Sequence, residues 1–130
     1  EIVTNNYFGD ITVNEDNTVS ILGKAYIGKE LGYNHPTANA SGAVIIDWTM
    51  SAKKTLTLTG DISSVTFADP SNPSSLMLII KRDAGSAYTI DWPGTIYWPG
   101  GVAPELSTET DTVDIVTLYY DGTDQFYISI

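Results

Sequence analysis

Apolar and polar positions along this chain recur in short runs separated by turn residues, the pattern of a chain built from β-strands. Between Gly9 and Ile21, Ile11 and Val13 alternate with Thr12. The polar run Asn14-Glu15-Asp16-Asn17 follows, and then Val19 and Ile21 alternate again. This predicts a hairpin. From Gly28 to Gly42, around His35-Pro36, neither the helical nor the strand period is present, and the stretch reads as a loop. That loop divides the chain into a neck-like or anchoring segment, residues 1–42, and one β-module, residues 43–130.

Strands follow regularly after Ala43. Val44 to Trp48 is a compact apolar run. In Thr55-Leu56-Thr57-Leu58-Thr59 the period of two turns Leu56 and Leu58 to the core and the threonines outward, with Gly60-Asp61 as the stop. Val65-Thr66-Phe67 is a further short strand. Leu76 to Ile80 is unbroken, as expected of a strand buried on both faces. Asp83 to Ser86 turns the chain into Tyr88 to Trp92, and Trp92-Pro93-Gly94 and Trp98-Pro99-Gly100-Gly101 form two corners. Proline donates nothing to a ladder, so each corner marks a strand end or an edge. Val113 to Tyr120 and Gln125 to Ile130 make a second hairpin about Asp121-Gly122-Thr123-Asp124, with Gly122 placed to supply a positive φ. Phe126, Ile128 and Ile130 fall on one face, which suggests a packed terminus. The predicted fold is all-β, an antiparallel sandwich.

Composition narrows the function. With 16 acidic and 6 basic residues and a net charge of −10, the chain lacks the clustered cations that phosphate backbones require, so nucleic acid is not an expected partner. No run approaches the roughly 18 apolar residues of a membrane span, so membrane insertion is not expected. Without cysteine there are no disulfides, thiolate metal ligands or thiol nucleophiles. Glu1 reads as a processing point or an expression boundary.

The order of features from Ile46 to Ile130 resembles a C-terminal β-module of tailed-bacteriophage virion structural proteins, of the tail-fibre, head-fibre and receptor-binding types. The matching parts are Asp47-Trp48, "KKTLTLTGDISSVTF", Ile90-Asp91-Trp92-Pro93, "YWPGGVAPELST" and "VDIVTLYYDGTDQFY". Trp48, Pro93, Pro99, Gly100, Gly101, Asp114, Asp121 and Gly122 are its structural marks in this sequence. The resemblance implies a jelly-roll-like sandwich, trimeric, displayed on the virion surface, with itself, other virion proteins and a host surface glycan as partners. It covers about two-thirds of the chain and leaves residues 1–42 unmatched.

Candidate chemistry is sparse. His35 is the sole histidine and precedes Pro36 in a polar stretch, and no Gly-x-Ser-x-Gly elbow accompanies it. Most acids occupy turns, where Asp and Asn bond nearby backbone; Asp47, Asp91 and Asp114 lie within apolar runs and are expected to face outward or bond a turn. The runs 14–17 and 121–124 offer oxygen ligands without EF-hand spacing. Asn39-Ala40-Ser41 is a chance glycosylation sequon. No catalytic, metal or cofactor site is expected. Trp92, Tyr97, Trp98, Tyr119 and Tyr120, with Tyr127 nearby, are the candidate ligand-binding residues, because aromatic faces stack on sugars. Trp92 and Trp98 have an alternative use as wedges at the corners. Of Tyr119 and Tyr120, one points inward and one outward. The leading expectation is a non-enzymatic fibre or tail-tip module for host attachment. The rivals are a capsid-decoration or head-fibre protein, a carbohydrate-binding module and a glycan depolymerase.

Overall fold

The structure, a computed structural model, describes residues 11–13, 15, 19–21, 37–83, 87–123 and 126–129. Every regular element among them except one short 3-10 turn is a strand, so the chain is all-β. The chain divides into two compact units, Glu1–Gly32 and Tyr33–Ile130. In the first, β1 (Ile11–Val13) and β2 (Val19–Ile21) pair antiparallel with Ile11 opposite Ile21 and Val13 opposite Val19, the predicted hairpin.

The second unit contains β3 (Thr37–Asp47), β4 (Lys53–Ala68), β5 (Ser74–Arg82), β6 (Ile96–Tyr97), β7 (Val113–Tyr120) and β8 (Phe126–Ser129). They form one mixed sheet in the order β3-β4-β5-β7-β8-β6. The antiparallel expectation holds for β5-β7-β8 but not for the start of the unit, where β3-β4 and β4-β5 are parallel. Thr37 lies beside Thr55, and Thr55 beside Ile79.

Chain length explains how parallel neighbours are joined by such short links. A straight strand of 11 residues spans about 35 Å. The segment 48–52 that returns to the start of β4 reaches about 20 Å at most. So β3 must fold back on itself. It does so at Gly42, whose φ of 68° lies in the left-handed region and where the pairing register shifts on both sides. β4 turns the same corner at Gly60, where an added Cβ would meet the Ser41 Cβ at 3.0 Å. After β5 the third pass reaches the same level, with Ile62 bridged in parallel to Ile90. Ile62 N donates to Thr89 O at 2.8 Å and Asp91 N to Ile62 O at 2.9 Å. Each pass is therefore a two-legged circuit stacked on the one before, and β7 and β8 close the stack as an antiparallel hairpin.

Alternation sorts the side chains. Leu56 and Leu58 of one leg and Ile62 and Val65 of the other belong to a single core with Ile46, Leu76, Leu78, Ile80, Val116 and Leu118. Trp48 is buried against it, edge-on to Phe67 at 5.8 Å between ring centroids.

Several expectations are corrected. Residues 37–42 are strand rather than loop. Gly60-Asp61 bends β4 rather than ending it. Thr55 is buried instead of outward and open, because Thr37 and Ile79 flank it in the sheet. Met77 and Ile79 are only half-buried, so β5 is fully covered on one face alone. Tyr88 to Trp92 contributes one bridge, not a strand. Gly122 has φ 94°, as the hairpin requires. His35 and the side chains of Phe126, Tyr127, Ile128 and Ile130 lie outside the described residues.

Candidate functional site

The structure separates the aromatic candidates. Tyr120 is buried in the core, and its neighbour Tyr119 points out, 46% exposed, which settles the alternation within that pair. Tyr119 and Tyr97 share a row: in the sheet register Tyr119 lies opposite Tyr127, and Tyr127 beside Tyr97. Three tyrosine positions thus run across β7, β8 and the edge strand β6. The same outward face of β7 carries Val113 and Ile115, 51% and 56% exposed, against Lys81 and Ile79 of β5. No described outward position of β5 or β7 holds a carboxylate.

The tryptophans lie together elsewhere. Trp92 and Trp98 meet edge-to-face at 5.4 Å and 69°, both half-buried against the core. The corner residues arrange this contact. Ile96 N donates to Pro93 O at 3.2 Å and Gly101 N to Trp98 O at 2.9 Å, while Gly100 and Gly101 supply φ values of 68° and 75°. Wedging at the corners is therefore part of what these tryptophans do.

Trp92 also lines an open groove of about 380 Å³, with Arg82, Tyr88, Ile90, Glu105 and Leu106. That volume lies within the ~300–1,000 Å³ range of small-molecule sites. Arg82 was not among the sequence candidates. It stands at the end of β5 beside Leu58 and is 5% exposed. Its Nη1 donates to Tyr88 O at 2.8 Å, closing the turn after β5, and its Nε is buried without a partner among the described residues. Lys81-Arg82-Asp83 is a short charged run that carries no motif. The usable signal was the alternation: Leu76, Leu78 and Ile80 face inward, and Arg82 continues their face.

The carboxylates are occupied in holding backbone. Asp47 Oδ1 accepts from Thr49 N at 2.9 Å and Thr49 Oγ1 at 2.6 Å. These bonds, the hydroxyl's foremost, hold the Asp47 carboxyl below the ordinary 3.8. Asp121 repeats the arrangement with Thr123, at 2.9 and 2.6 Å. Asp61 Oδ1 accepts from Thr89 N and Oγ1, tying the second circuit to the third. Asp114, half-buried in β7, accepts from Ser107 N at 2.9 Å and Ser107 Oγ at 2.8 Å. It thereby anchors the loop whose Glu105, Leu106 and Thr108 wall the groove. Asp91 is exposed. No three His, Cys, Asp or Glu side chains gather as metal ligands among the described residues. No protein-family model, curated protein or solved structure matches this chain.

Proposed function

We propose that this chain is a non-enzymatic surface protein of a bacteriophage virion, a fibre or tail-tip module that contributes to host attachment. Its module is a β-sandwich, the two legs of each circuit forming its layers, and three copies assemble through the outward face of β5 and β7. The observation that carries this reading is that face. On a chain of net charge −10, Val113, Ile115 and Tyr119 are open on strands whose described outward positions hold no carboxylate, where like-charged copies can approach. Three copies per appendage and several appendages per particle turn weak host contacts into avidity.

Light scattering on the purified chain tests the assembly: a mass three times 14.1 kDa is expected, falling to the monomer with Ile115→Glu. A wild-type monomer at micromolar concentration would refute it. Immunogold electron microscopy tests the location, with label at the tail or fibre expected.

A second reading, a capsid-decoration or head-fibre protein, draws on the first unit. Glu1–Gly32 is compact by itself and exposes Val19 and Ile21, as an anchor would. Loss of shell binding on removing residues 1–32, with label on the head, favours this reading over the first.

A further inference from the structure

The groove beside Trp92 presents a cation that no described residue neutralises. Arg82 is buried, yet its one hydrogen bond among the described residues goes to a neutral carbonyl, and no ion pair engages it there. A guanidinium carries five donors in a planar fork, and burying one without a counter-charge is unfavourable. Closing the turn at Tyr88 needs a single donor, which a neutral side chain could supply. Among the described residues its Nε–H has no partner.

We infer that the groove is a binding site for an acidic sugar, such as a uronate residue of a host surface polysaccharide. The sugar carboxylate pairs with the Arg82 guanidinium, and the ring lies along Trp92. This rests on the host-attachment reading. Trp92 is braced edge-on by Trp98, so its ring is a pre-set platform rather than a mobile side chain. Ile90 and Leu106 give apolar walls for the sugar's C–H faces, and Thr108 adds a hydroxyl at the rim. Glu105 also lines the groove and is exposed. A carboxylate there opposes an anionic ligand, so the pairing must be local to Arg82.

The test is an NMR titration of the full chain with sodium glucuronate, following the Arg82 Nε–H and Trp92 indole signals. Both are expected to shift together and to saturate. Glucose and the methyl ester of glucuronic acid should shift neither to a comparable extent. Arg82→Gln is expected to weaken binding at least about tenfold, as for loss of a hydrogen bond to a charged group. Arg82→Lys should retain part of it. Glu105→Gln, a change on an exposed loop that leaves the core intact, is expected to tighten binding.

Equal shifts with glucose, no shift with glucuronate, or weaker binding by Glu105→Gln would each overturn the proposal. So would equal binding of N-acetylalanine, which would mark a peptide-carboxylate site instead. The titration needs no virion. A chain that binds glucuronate yet is missing from particles overturns only the attachment reading, and a chain on the tail that ignores glucuronate overturns only this one.

Discussion

Adding one methyl group at Gly60 tests the stacked circuits directly. Gly60 has no positive φ, so Gly60→Ala strains no backbone torsion. In isolation the change would stabilise by about 0.4–1 kcal/mol, through the lost freedom of the unfolded chain. In the fold, however, the new Cβ arrives 3.0 Å from the Ser41 Cβ on the preceding circuit. That is tighter than ordinary carbon contact, and overpacking of this kind costs roughly 1–3 kcal/mol. Ser41 is exposed, so the corner can yield slightly, and the lower end of that range applies. The net expectation is a loss of at most about 0.6 kcal/mol, read in urea as a midpoint lowered by at most about 0.3 M for a slope near 2 kcal/mol/M. Ser41→Gly alone should cost about 0.5–1 kcal/mol as a glycine within a strand. Combining the two removes the clash, so the double variant should be more stable than the sum of the singles by about 1 kcal/mol. Tryptophan fluorescence follows the unfolding. A coupling energy of zero would mean that the corners at residues 41 and 60 do not stack, and with that the parallel pairing of β3 and β4 would fall.

Other consequences follow from single contacts. Leu78→Ala, in a fully buried position at the middle of the sheet, should cost about 2–5 kcal/mol, whereas Ile115→Ala in the monomer should cost under about 1 kcal/mol. Equal urea midpoints for the two would contradict the inward and outward assignment. Asp114→Ala removes both bonds to Ser107 and should cost about 1–3 kcal/mol, with amide exchange speeding up across residues 102–112 before any change in β7. Uniform exchange changes would argue against the anchor. The Asp47 carboxyl should titrate by NMR with a midpoint below 3.8 that rises toward the ordinary value in Thr49→Ala, which removes the hydroxyl but keeps the bond from the backbone N–H. Because the folded value is the depressed one, its stabilising effect is complete above the ordinary carboxylate range and disappears as the pH falls through the lowered midpoint.

What was legible in the sequence is what depends on alternation or local turn chemistry. Leu56 and Leu58 face the core because side chains alternate, whatever strand lies alongside. Gly122 takes its positive φ because a tight hairpin link demands one there. The direction of pairing was not legible, because a period of two says which face is buried and not which neighbour lies beside it, or in which sense it runs. Residues 37–42 misled for a related reason. An edge strand of small polar residues has one side of its ladder open, and Thr37-Ala38-Asn39 looks no different from a loop until β4 is beside it. The aromatic candidates were treated as a single set. Only the register shows that Tyr97 and Tyr119 flank one position on the sheet face, while Trp92 and Trp98 meet at the corners.

Glycine explains why these errors occurred together. Gly42 and Gly60 were both read as ends of elements, since glycine interrupts the apolar pattern whether a strand stops or merely bends. In this chain they bend, and bending is what lets a link as short as residues 48–52 return the chain in the same direction. Two straight strands of these lengths would have needed a long crossover, usually a helix, and no stretch of the sequence has a helical period. The absence of a crossover candidate, set beside a Thr/Leu strand interrupted only by Gly60-Asp61, therefore already contained the choice between antiparallel partners and a folded-back coil. The same circuits carry β5 to the point where Arg82 ends the inward row behind Ile80, so the bend at Gly60 and the cation in the groove are consequences of one winding pattern.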